Sequence, residues 1–170
     1  ASWRGIRFLG SQAATDSLKY VRVSGSDKRT GTGDASEFSG GGIFCATNSV
    51  YIDHSVISDN YALQSGGGVR RGTLTDCSIL RNTISRYEGG GAAFSYLTRC
   101  YIANNTTTLP SPRGGGASGG YATNCVFQKN NYGQVSSTIT NKSIITGGSA
   151  AGYLWYFYAT DSISNSLLVK

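Results

Sequence analysis

Three consecutive glycines occur four times in this chain, at 40–42, 66–68, 89–91 and 114–116, and the triplets start 26, 23 and 25 residues apart. A near-constant period of this length marks a repeat architecture and constrains the fold before any local propensity is weighed. A small or apolar residue follows each triplet: Ile43, Val69, Ala92 and Ala117. Eleven residues after the start of the last three triplets stand Cys77, Cys100 and Cys125, and sixteen after stand Asn82, Asn105 and Asn130.

The segments between these markers read CSILRN, CYIANN and CVFQKN, and the first repeat supplies SVISDN at 55–60 after a linker four residues longer. Alternate positions are small or apolar (Ser55 and Ile57, Cys77 and Ile79, Cys100 and Ile102, Cys125 and Phe127). Such period-two patterning predicts a short strand with one buried face, closed by the asparagine. Looser copies lie upstream in WRGIRF and LKYVRV and downstream in NKSIIT and SNSLLV, so about seven turns of 18 to 26 residues account for the 170 residues. The stretch 24–39 (SGSDKRTGTGDASEFS) breaks the pattern and reads as an inserted loop.

A unit with two or three short strands and no helical period cannot bury its apolar face alone, but it can when coiled on similar neighbours. The expected fold is therefore all-β, a single-domain, single-stranded, right-handed parallel β-helix over 1–170. Turns stack about 4.8 Å apart. Glycine at a corner permits positive φ and keeps the next turn free of a Cβ. The recurring Asn60, Asn82, Asn105 and Asn130 tolerate left-handed geometry and can hydrogen-bond along the stack.

These residues resemble the GGA and FxxN repeats of passenger domains in the polymorphic outer membrane proteins of chlamydiae, and the GGG(I/V) repeats of other secreted bacterial β-helix proteins. Gly90-Gly91-Ala92 and Gly115-Gly116-Ala117 match GGA, 127–130 (FQKN) matches FxxN, and 57–60, 79–82 and 102–105 match it with Ile replacing Phe. The resemblance covers about residues 40–131. It implies a secreted or cell-surface rod, often an adhesin or a polysaccharide-recognising module.

Other classes are disfavoured. No apolar run approaches the roughly 18 residues of a membrane span, and no GK[ST] follows a triplet, so a phosphate loop is not supported. The beginning ASWRG, without Met, and the end SLLVK, within an apolar run, read as those of a processed or excised piece. Cys45, Cys77, Cys100 and Cys125 form no C-x-x-C pair and, with one His, offer no zinc quartet, so buried free thiols are expected and no metal. The formal charge is +6, and 66–130 carry seven Lys/Arg against two acids. That field favours an anionic partner such as an acidic glycan. A nucleic-acid role would rest on charge alone and is not expected. The end rungs would be open sheet edges, which makes end-to-end self-association an expectation.

For chemistry, successive turns place His54, Asp76, Arg99, Asn124 and Lys142 in one column. Asp76 could orient His54 as a base while Arg99 reads a carboxylate; a solvent-facing ladder of alternating charge explains the same pattern. A β-helix hydrolase or pectate-lyase-like lyase needs clustered carboxylates, in the lyase case to hold Ca²⁺. Of the nine acids here no two share an adjacent ladder rung when the repeats are aligned, so catalysis is disfavoured and no cofactor is expected. Aromatic and basic residues suit glycan binding: rings stack on pyranose faces, and Arg reads carboxylate or sulfate bidentately. The binding candidates are Arg70, Arg71, Arg81, Arg86, Tyr87, Arg113 and Trp155, accompanied by Tyr96, Tyr101, Tyr121 and Tyr132. Glu88 and Arg113 should pair across turns. Thr83 and Thr106 are the one aligned threonine pair, too few for an ice-binding array. The alternatives to a binding module are a polysaccharide lyase or hydrolase and a passive spacer.

Overall fold

The computed structural model describes residues 3–10, 16–30, 33–108, 114–147, 155–156 and 163–169. Their strands form the expected parallel β-helix. One sheet stacks seven strands, Arg22–Ser24, Val56–Ser58, Ser78–Leu80, Tyr101–Ala103, Val126–Gln128, Ile144–Thr146 and Leu167–Val169, one per turn. A twelve-stranded sheet runs beside it, and a four-stranded sheet (Asp27–Lys28, Tyr61–Ala62, Thr83–Ile84, Thr106–Thr107) adds a third face to four of the turns.

The register makes the sequence alternation into ladders. Val23, Ile57, Ile79, Ile102, Phe127, Ile145 and Leu168 stack inward, each on the next. On the large sheet, Ile6, Ile43, Val69, Ala92, Ala117 and Val135 form one inward column, and Leu18, Ile52, Leu74, Leu97 and Ala122 another. None of these strands exceeds seven residues, so the core is built by repetition and not by any one element.

The corners are more specific than the strands. Tyr20, His54, Asp76, Arg99, Asn124, Lys142 and Asn165 all adopt the left-handed conformation, with φ between 45° and 54°. A second column does the same: Asp59, Arg81, Asn104 and Lys129, with Gly25 and Gly147 at its ends. At all of these residues but Asn165 the N–H donates to the turn above, as from Asp76 to the Thr98 carbonyl at 3.0 Å, so backbone pairing offsets the conformational cost. Directly after the first corner, Ser55, Cys77, Cys100, Cys125, Ser143 and Ser166 each donate a hydroxyl or thiol to the carbonyl two residues back. Cysteine therefore stands in for serine at a turn. All four cysteines are free and buried. Neighbouring thiols and burial push Cys100 up, so it is held as the neutral thiol.

The asparagine ladder is continuous. The side-chain amide of Asn60 donates to Asn82 at 3.0 Å, Asn82 to Asn105 at 3.1 Å, Asn105 to Asn130 at 3.0 Å, and Asn130 to Gln134 at 2.6 Å. Each asparagine oxygen also accepts a backbone N–H from the turn below. In the triplets, a Cβ on the middle residue Gly90 would lie 2.4 Å from the Gly115 carbonyl oxygen, closer than any side chain permits.

The stretch 24–39 is less of a loop than its composition suggests. Ser24 ends a strand, Asp27–Lys28 pairs in register with Tyr61–Ala62, and Ala35–Phe38 form one helical turn. Lys28 points inward beneath Ala62, Ile84 and Thr107, and its ammonium donates to the carbonyls of Ser39 (3.0 Å) and Ser36 (3.3 Å). Polarity hid this rung because an inward lysine contradicts the apolar pattern. Burial, with Arg7 and Arg4 adding to it, lowers its pKa to about 8.

Candidate functional site

The large sheet carries a surface built from one irregularity in the repeat. In most turns four residues separate the start of the first strand from the start of the second, as from Val69 to Thr73 or Ala92 to Tyr96; from Ile43 to Tyr51 it is eight. The connecting loop, 46–50, is therefore four residues longer than its counterparts. It is pinned to the next turn: the Asn48 side-chain oxygen accepts the Gly72 N–H at 2.7 Å, and its carbonyl accepts the Thr73 hydroxyl at 2.8 Å. Arg71, left-handed at φ 61°, donates to the Ala46 carbonyl.

Beside this wall, Tyr51, Thr73, Tyr96 and Tyr121 occupy one outward column in register. Tyr51 is 50% exposed, Tyr96 42% and Tyr121 50%, and Tyr96 meets Tyr121 edge-on with centroids 5.2 Å apart. Two contiguous grooves share Tyr51 and Thr73. One, of ≈ 780 Å³, lies against the 46–50 loop with Arg71 and Tyr96; the other, of ≈ 490 Å³, is lined by Asp16, Lys19, Asp53 and Thr75.

The corner column borders the second groove, and the expected stack of His54, Asp76 and Arg99 is present. His54 Nδ1 lies 2.7 Å from Asp53 Oδ1, and its Nε2 lies 3.9 Å from Asp76 Oδ2. Arg99 grips Asp76 with both arms, Nε to Oδ1 at 2.8 Å and Nη2 to Oδ2 at 2.7 Å, which holds the Asp76 carboxyl below the usual range. Lys19 stands 4.0 Å from Asp53, and Tyr20 packs on His54 with centroids 5.2 Å apart. One expectation needs correction: Asp53 and Asp76 do lie on adjacent turns, diagonally, and both face His54. Aligning single columns hid this, because the two acids occupy neighbouring columns. Donor atoms of Asp53, His54 and Asp76 all fall within 4.8 Å of one another. Arg99 already supplies positive charge to both Asp76 oxygens. The ion pair formed within this column is that between Asp76 and Arg99.

The binding candidates disperse. Arg71 lines the larger groove, and its neighbour Arg70 lies over the rings of Phe44 (5.3 Å) and Phe94 (5.7 Å). Arg81 is on a different corner, spent in a two-armed bond to Asp59 at 2.7 and 2.8 Å. Arg86 and Tyr87 are exposed on the turn before the third triplet, away from the groove residues. Arg113 lies outside the described residues, so its pairing with Glu88 does too; Glu88 accepts the Ser118 hydroxyl at 3.0 Å. Trp155 begins the short strand Trp155–Tyr156 on Val135–Ser136. Thr75, Thr98 and Thr123 also align, an array the triplet spacing did not bring out, but Asp53 and Asn141 interrupt the column on either side. Tyr51, Thr73 and Asn48 were missed; their signal was the longer linker.

Among the described residues no helix is long and apolar enough to cross a membrane. Comparison with protein-family models, with characterised proteins and with solved structures finds no match to this chain.

Proposed function

We propose that this chain is an extracellular or cell-surface β-helix module that binds polysaccharide, in adhesion or glycan recognition, without catalysis. The observation that carries this reading is the column Tyr51, Thr73, Tyr96 and Tyr121, three half-exposed rings spaced by whole turns on one sheet. Side chains so placed offer ring faces and edges to successive pyranoses while the rigid coil keeps their spacing fixed. The repeat resemblance to passenger domains supports the surface location, and the basic excess supports anionic glycans. The test is size-exclusion chromatography of the chain with acidic and neutral polysaccharides, with and without Ca²⁺. Co-elution with intact polymer is expected; its absence across the panel would leave a spacer as the better account.

A second reading, a polysaccharide lyase or hydrolase, draws on Asp53 and Asp76 beside a groove. Shortened polymer in the same experiment would favour it and direct mutation to His54, Asp76 and Arg99.

A further inference from the structure

We propose that the notch between Tyr51 and Tyr96, floored by Thr73 and closed by Arg71, is a subsite for one anionic pyranose of an acidic polysaccharide. The proposal rests on the glycan-binding reading above and gives that surface a location and a charge preference. Three observations carry it.

First, the outward column is aromatic at Tyr51 and at Tyr96 but short at Thr73, so a gap opens between two rings that stand two turns apart. At about 4.8 Å per turn the gap is roughly 10 Å between ring positions. That is room for a single sugar ring between two aromatic walls. The ≈ 780 Å³ groove falls within the range of small-ligand sites.

Second, the back wall is fixed before any ligand arrives. Asn48 is held through its carbonyl and its side-chain oxygen by Thr73 and Gly72. Asn48 lines the groove, and its side-chain amide nitrogen, which makes no hydrogen bond among the described residues, is a donor for a ring hydroxyl. Pre-set donors of this kind spare a ligand the entropy of ordering the loop.

Third, the groove has one charge, and it is unmatched. Arg71 is the charged residue of its lining. One guanidinium arm donates to the Ala46 carbonyl, and no ion pair to Arg71 forms among the described residues. Arg70 lies beside it and adds like charge, while Arg81 and Arg99 are each consumed by an aspartate. A guanidinium anchored by one arm, with like charge adjacent, suits a planar carboxylate or a sulfate on the bound sugar. The neighbouring groove carries Asp16 and Asp53 and would repel the same group.

The test is titration calorimetry of the full chain with oligogalacturonate, with a sulfated dextran oligomer and with neutral dextran, repeated for Arg71→Gln and Thr73→Tyr. Arg71→Gln should weaken the anionic ligands about tenfold, the scale of one charge-assisted hydrogen bond, and leave neutral dextran unaffected. Thr73→Tyr fills the notch while extending the aromatic column, so it should abolish binding; a flat-strip mode predicts tighter binding instead. Circular dichroism melts identify a variant that fails to fold, and the other variant then decides. The carboxylated and sulfated probes separate the two anion sources. If the native chain binds these probes and both folded variants bind equally well, the subsite is wrong while glycan binding stands. If the native chain binds none of the polysaccharides, both proposals fall.

Discussion

Arg99 closes both nitrogens of its fork onto the two oxygens of Asp76, one turn below, at 2.7 and 2.8 Å. That contact decides how the corner column should be read, because Asp76 is held by Arg99 while His54 Nε2 stays 3.9 Å from Asp76 Oδ2, beyond hydrogen-bonding distance. The imidazole instead makes its short contact with Asp53, its neighbour in sequence. In Arg99→Gln the Asp76 carboxyl should titrate higher than in the native chain, since the fork is the leading cause of its depressed pKa. The stabilisation exists above the ordinary carboxylate pKa and fades as acid protonates Asp76. Carboxyl-carbon NMR across the acid range would show the shift; an unchanged titration would mean that the fork does not persist in solution.

The asparagine ladder should be the least tolerant polar feature of the molecule. Asn105→Ala removes the oxygen that accepts both the backbone N–H and the side-chain amide of Asn82, and the amide that serves Ile79 and Asn130. Stranding buried donors at about 1–3 kcal/mol each, the change should cost at least about 3 kcal/mol in a denaturant melt. A loss below about 1 kcal/mol would contradict a continuous ladder.

Glycine tolerance should depend on position in the coil. Gly90→Ala drives a Cβ to 2.4 Å from the Gly115 carbonyl oxygen and 3.0 Å from that of Thr106, both backbone atoms that cannot yield without opening the stack. Gly10→Ala meets nothing within 4 Å. Thermal denaturation should show the first variant severely destabilised or unfolded and the second within about 0.5 kcal/mol of native.

Lys28 should give the N-terminal turns an alkaline stability gain. Its folded pKa is about 8, below the ordinary lysine value of 10.5, so between those values the unfolded chain binds more protons and stability rises with pH. Below pH 8 the cost of burying the charged amine is fully present; as pH rises toward 10.5 it is relieved, by at most about 3 kcal/mol. Buried Cys45, pushed up to about 12, acts in the opposite sense at the alkaline end. The difference between the native chain and Lys28→Met therefore isolates the lysine, and a difference that is flat from pH 7 to 10.5 would refute the assignment.

Period, strand alternation and the Asn and Cys columns were legible because each depends on residues at equal offsets, and stacking in register turns equal offsets into contacts. Chain order also placed His54, Asp76 and Arg99 in one column. It did not reveal that Asp53 joins them, since that contact is diagonal between columns. Nor did it reveal Lys28 as a core rung, because its charge is satisfied by two backbone carbonyls, those of Ser36 and Ser39, which only the folded insert brings to it.

The sequence by itself determined that this protein coils into stacked turns of about 24 residues with glycine and asparagine at the corners, because no isolated turn of such composition can bury its apolar face. Only the tertiary structure decided which arginines are free. Arg81 and Arg99 look no different from Arg71 in the chain, but a corner turns each of them onto an aspartate one rung below, while the 46–50 loop leaves Arg71 facing an aromatic notch. Charge pairing across turns is set by register and by side-chain direction at left-handed corners, and neither is written in composition or spacing.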